Sequence, residues 1–198
     1  MNTIEKLFKS APSKEEFAEG YLTYLVDLLN RIDLTEISKF INIICQAQKR
    51  GARIFFIGNG GSAATASHFA NDFSIGSRDW NNPIKAIALT DNVSILTAIA
   101  NDYGYDDVFR LQLQCQAVTG DVVVAISASG NSRNLISAIQ YANEEKMITV
   151  GLTGFDGGEL KKHAQHSVHI ECPSGEYGPV EDIHMVIDHL VGAYLMYK

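Results

Sequence analysis

The chain has 198 residues, 46% of them apolar and 20% charged, with a net charge of -7. That balance argues against a disordered chain and against a basic face for non-specific nucleic-acid binding, and no run of about 18 apolar residues offers a membrane span. Cys45, Cys115 and Cys172 are far apart and form no CxxC pair, so they are expected as buried thiols rather than a disulfide framework or zinc-cysteine site.

The first fifty residues carry helical periodicity. Phe17, Tyr21, Tyr24, Leu25, Leu28 and Leu29 recur at helical spacing over 15–31, and Ile37, Phe40, Ile41, Ile44 and Cys45 over 34–50. Asp33, with Thr35 and Ser38 behind it, offers capping chemistry. Residues 1–50 therefore read as a two-helix arm or lid on a sheet domain at 51–198, the whole forming one domain. The start of the chain lacks a long apolar core, so no secretory signal is expected and the protein is placed in the cytoplasm.

From residue 52 the pattern changes. ARIFFIG (52–58), IKAIAL (84–89), DVVVAIS (121–127), MITVGLT (147–153) and SVHIEC (167–172) are short apolar runs ending in glycine or polar punctuation. Helical stretches separate them at 62–73, 92–100, 105–118 and 132–145, and an amphipathic helix closes the chain at 180–197. Continuous apolar strands alternating with helices predict a five-stranded parallel sheet buried on both faces. The expected fold is an α/β, Rossmann-like three-layer sandwich preceded by two helices.

Ligands in open α/β sheets bind outside the carboxyl ends of the strands. After the first strand, Gly58, Gly60 and Gly61 permit a tight turn, and Ser62 is placed to cap the next helix, whose N-terminus attracts anions. After the third strand, Ser127-Ala128-Ser129-Gly130-Asn131-Ser132 brings hydroxyls and backbone N–H groups to a helix start, a phosphate cradle that needs no lysine. Asn101-Asp102 is read in a turn between two helices, where it serves either as a cap or as a partner for sugar hydroxyls. His68 and Asp72, four apart, share a helix face and can hold one cation, although the same spacing makes an ordinary surface pair. Residues 163–197 contain no Lys or Arg but hold Glu171, Glu176, Glu181, Asp182 and Asp188, which invites a metal or proton-transfer role. Glu181 and His189 border one side of the last helix; His163, His166 and His169 read as exposed or strand-edge residues.

GNGGSAATASHFANDF, TAIANDYGYDDVF, GDVVVAISASGNSRNLISAI, LTGFDGGEL and the EDIHMVIDH helix resemble the sugar isomerase (SIS) domain, and within it the phosphoheptose isomerase group, over nearly the whole chain. The resemblance implies conversion of sedoheptulose 7-phosphate to D-glycero-D-manno-heptose 7-phosphate. That reaction opens the supply of heptose for bacterial lipopolysaccharide, capsule or glycoprotein sugars. It also implies a cytoplasmic homotetramer with active sites at subunit interfaces, and bound zinc. Carried over by position, Asn59, Gly60, Gly61, Asn101, Asp102, Ser127, Ala128, Ser129 and Ser132 would bind substrate, joined by Ser62, Asp72 and Glu181. The metal ligands would be His68, Asp72, Glu181 and His189, with Asp72 as base and His189 as acid. The family usually has glutamate at the position of Asp72, glutamine at that of Glu181 and threonine at that of Ala128. Glu181 is thus a second anionic ligand or an alternative base. A non-catalytic SIS relative that binds the bacterial replication initiator protein resembles Asp91-Asn92-Val93 and Gly130-Asn131-Ser132-Arg133. The acidic residue at Asp72 distinguishes this chain from that adaptor. A SIS sensor or isomerase for another sugar phosphate is the third reading.

Overall fold

The computed structural model describes residues 1–198. Five strands, β1 (Arg53–Gly58), β2 (Lys85–Ala88), β3 (Val122–Ser127), β4 (Ile148–Phe155) and β5 (His166–Glu171), form one parallel sheet in the order β2-β1-β3-β4-β5. Residues alternate across it. Ile54 and Phe56 of β1 and Val122, Val124 and Ile126 of β3 enter one core, and Phe55, Ile57, Val123 and Ala125 enter the other. Helices cover both faces, giving the expected three layers. The first core is closed by α3 (Leu34–Arg50), α4 (Gly61–Asn71) and α9 (Tyr177–Tyr197), the second by α6 (Arg110–Gln116) and α7 (Arg133–Glu144).

The chain leaves β1 toward β2 and returns to β3 on the other side. The ends of β1 and β3 are therefore adjacent where the strand order reverses, which is where such sheets bind ligands.

The leading segment differs from expectation in its number of helices. It has three helices, because Asn2 and Glu5 form a reciprocal capping box that starts α1 (Thr3–Ser10) ahead of α2 (Lys14–Asn30). It packs onto the sheet domain. Phe40 and Ile44 of α3 lie in the core, and Glu176, the buried N-cap of α9, accepts the Thr3 N–H and the Tyr24 hydroxyl, each at 2.5 Å. Tyr21 donates to Asp182 at 2.6 Å. Burial and these carboxylates raise both phenols, Tyr24 to about 12.

Other expectations also shift. A one-turn α8 (Gly158–His163) precedes β5, and α5 spans Val93–Asp102, so Asn101 and Asp102 are its last two residues rather than a turn. Only Cys172 is a buried thiol; Cys115 is exposed and Cys45 half-buried, because their helices turn those positions outward. β5 is a sheet edge, as expected, and carries both His166, exposed, and His169, half-buried with Nδ1 3.0 Å from Thr153 Oγ1.

Candidate active site

Gly60 makes the turn after β1, with φ +55° and ψ -123°, a conformation open to glycine. It is also the N-cap of α4. Ser62 lies inside the first turn, so the expected Ser62 cap is replaced by a glycine end with no side-chain capping bond. Asn59 is anchored. Its amide exchanges two 2.9 Å hydrogen bonds with the amide of Asn134 on α7, and Tyr105 donates to its Oδ1 at 2.9 Å. These bonds tie the β1 loop to the helix after β3. Asn134 and Tyr105 did not stand out in the sequence, because nothing local links three positions so far apart.

In the β3 loop, Ser127 Oγ accepts the Gly130 N–H at 3.0 Å and Ser129 Oγ accepts the Asn131 N–H at 3.3 Å. Both hydroxyl protons remain available. Gly130 has φ +65°, and a Cβ there would fall 2.0 Å from Gly157 O, so β3 and β4 loops nest together. Ser132 is the N-cap of α7 but makes no side-chain capping bond. The N–H groups of Ser132, Arg133 and Asn134 bond to no group of the chain. Ala128 is buried. This end offers hydroxyls and free N–H groups to an anion. Asn101 and Asp102 are exposed and bonded to each other at 2.7 Å, three residues before the Tyr105 that reaches Asn59.

The second half of the site lies on the seam between α4 and α9, which run side by side. A Cβ on Gly61 would meet Glu181 Oε2 at 2.5 Å, and one on Gly192 would lie 3.8 Å from Asp72 Cβ. Small residues at both ends let the helices approach. His68 and His189 meet between them with Nε2 atoms 3.3 Å apart. One chain therefore brings these two helices together. Asp72 opens a π-helical turn (Asp72–Gly76), and its Oδ2 lies 3.5 Å from His68 Nε2 while Oδ1 accepts from Asn71.

The fourth member of this cluster is Asp188, whose Oδ2 lies 3.8 Å from His68 Nε2. One ligand-type atom from each of His68, Asp72, Asp188 and His189 falls within 4.8 Å of the others; Glu181 is not among them. Donor atoms about 2.0–2.2 Å from a tetrahedral zinc ion are themselves about 3.3–3.6 Å apart. Two facing imidazole nitrogens cannot both be donors to each other. Asp188 is fully buried and neither of its oxygens has a hydrogen-bond partner. Burial, and then the Asp72 carboxylate, push it up to about 8. A dication would relieve each of these features, so the cluster fits one. His184, one turn before Asp188, is also buried without partners and is held down at about 4 by burial.

This frame is that of a sugar isomerase domain: the SIS domain family matches residues 20–154. The chain is 44% identical to a phosphoheptose isomerase of Geobacter metallireducens, covering 78% of this chain and 81% of that protein. It is 37% identical to phosphoheptose isomerase 2 of Campylobacter jejuni, covering 91% and 89%. The solved phosphoheptose isomerase GmhA of Neisseria gonorrhoeae superposes with a TM-score of 0.83 at 31% identity, covering 92% of this chain and 98% of that one. The chain belongs to the phosphoheptose isomerase family of SIS-domain proteins.

Proposed function

We propose that this protein is an aldose–ketose isomerase that converts sedoheptulose 7-phosphate to D-glycero-D-manno-heptose 7-phosphate through an enediol. The carrying observation is the meeting of His68, Asp72 and His189 on one seam, in a chain whose adjacent strand ends carry an anion cradle.

The reaction moves a proton between C1 and C2. It needs a base at carbon, an acid at oxygen, and stabilisation of the developing oxyanion. Asp72, with one oxygen turned to the imidazole pair, takes the C1 proton of the ketose and returns it to C2. His189 exchanges the proton at the sugar oxygens. Ser127, Ser129 and Ser132 with the free N–H groups at the start of α7 hold the distal phosphate, so binding at the non-reacting end positions the reacting one. Asn101 and Asp102 take the sugar hydroxyls, and Gly60 and Gly61 let the sugar approach the backbone. Glu181 lies over Gly61 as a further acid–base candidate. A zinc ion on this seam, held by His68, Asp72 and His189 with Glu181 as the family pattern implies, would polarise the substrate oxygens.

The working assembly we propose is a homotetramer with sites completed between subunits, acting in the cytoplasm at the start of heptose supply for surface glycans; the number four comes from the family resemblance. Support comes from α2, which buries only Leu28 and leaves Leu22 and Val26 exposed, and from Leu190 and Tyr194 on α9. His68 is itself 43% exposed, and no principal cleft of the single chain is lined by His68, Asp72, Asp188 or His189. No helix is long and apolar enough to cross a membrane.

The test is an assay of purified protein with sedoheptulose 7-phosphate, followed by NMR of the heptose product, with and without a chelator. Appearance of the aldose at C1 is the expected result. Tight binding of the sugar phosphate without turnover would sink the isomerase reading in favour of a sensor or adaptor.

A further inference from the structure

Buried carboxylates in this protein come with partners. Asp121 accepts the N–H groups of Arg53 and Val118, and Glu176 accepts from Thr3 and Tyr24. Asp188 is the exception: its side chain is 0% exposed, in a row of α9 whose neighbours Ile187 and Val191 are core residues, and both oxygens lack a hydrogen bond. The polar group it faces at 3.8 Å is His68 Nε2, which also lies 3.5 Å from Asp72 and 3.3 Å from His189. An unpartnered carboxylate is costly to bury, and pairing with a metal ion is one of the few arrangements that offset that cost.

Glu181 is held elsewhere. Along the seam, position 181 lies opposite Gly61, while 189 lies opposite 68 and 192 opposite 72. Eight residues of helix separate Glu181 from His189 by about 12 Å of rise. The Glu181 carboxylate occupies the space that a side chain at Gly61 would fill.

We propose that Asp188, rather than Glu181, supplies the second carboxylate of the metal site, so that His68, Asp72, Asp188 and His189 of one chain form the complete protein ligand set. The proposal rests on the metal reading above and changes its membership. Two neutral imidazoles and two carboxylates neutralise a dication and suit zinc or cobalt(II). Glu181 is then left at the mouth of the glycine loop, free of the ion.

The experiment titrates metal-free protein with Zn2+ against a chromophoric chelator, and with Co2+ while the visible spectrum is recorded. The parent is expected to bind one ion per chain. Loss of even an outer-shell partner costs a metal site 10–100-fold, so Asp188→Asn is expected to weaken zinc by about 100-fold or more. Glu181→Ala, which removes every ligand atom at that position, should leave both zinc affinity and the cobalt spectrum unchanged. Parent-like zinc binding by Asp188→Asn, or equal weakening by Glu181→Ala, overturns the assignment. The thermal midpoint of metal-free Asp188→Asn separates ligand from structural roles. It should match or exceed the parent's, since the isosteric amide removes an unpartnered acid; a lower midpoint makes the residue structural and overturns the proposal. Activity is read separately. Turnover in a chain without zinc affinity removes only the ligand set, while zinc binding through Asp188 without turnover removes only the isomerase reading.

Discussion

The cradle at the ends of β1 and β3 and the seam between α4 and α9 use different materials. The cradle is backbone: free N–H groups, glycines with positive φ, and serines that hold their own loop in shape. The seam is side chain: two imidazoles and two carboxylates brought together by the packing of two helices far apart in sequence. The first kind of site tolerates many side-chain changes and binds an anion without net positive charge. The second depends on single functional groups, so each substitution there removes a whole role.

The largest effect expected from that contrast is in the seam. His189→Ala and Asp72→Asn should each lower turnover by roughly 10²–10⁴, the usual worth of a positioned acid or base. Steady-state kinetics with sedoheptulose 7-phosphate checks this, and a fully active Asp72→Asn would transfer the base role to Glu181. In the cradle, Ser127→Ala with Ser129→Ala should act on KM. A lost hydrogen bond to a charged group costs about 1.5–3 kcal/mol, or roughly tenfold or more in affinity for each serine. An unchanged KM would detach the β3 loop from the substrate.

A smaller effect concerns His184, buried on α9 one turn before Asp188. Its pKa is lowered from the ordinary 6.5 to about 4 by burial, so the folded chain keeps it neutral where the unfolded chain protonates it. Its stabilising share is whole above 6.5 and is lost as pH falls toward 4, up to about 3 kcal/mol. Denaturant unfolding of metal-free protein at pH 7 and 4.5 should show a loss that His184→Gln reduces. The smallest effect is the most direct comparison of the two regions: a chelator should leave the affinity for inorganic phosphate unchanged. A large loss would mean that the cradle and the seam are one site electrostatically.

What could be read from the sequence follows the same division. The five strands and the glycine- and serine-rich loops at their ends were legible because periodicity and glycine chemistry are local. His68 and Asp72 were legible because one helical turn relates them. Asp188 was visible only as one acid in a segment without basic residues, since nothing local reveals that α9 turns it inward against α4. The Ser62 cap failed because Gly60 adopts a turn that ends the loop two residues earlier. The helix containing Asn101 and Asp102 ran two residues further than its apolar pattern. Glu181 was visible as an acid on one side of the last helix and received its ligand role from the resemblance; it sits where Gly61 leaves room, a relation that appears only when the two helices are side by side.

The paired amides of Asn59 and Asn134 carry a consequence for how such a chain changes over generations. Each amide gives one bond to the other and receives one, so either residue replaced alone by aspartate sets two acceptors face to face, and replaced by leucine strands a partner. The route between acceptable states passes through both positions at once. The spacing between the two loops is thereby inherited as a unit, while the residues around it are free to drift.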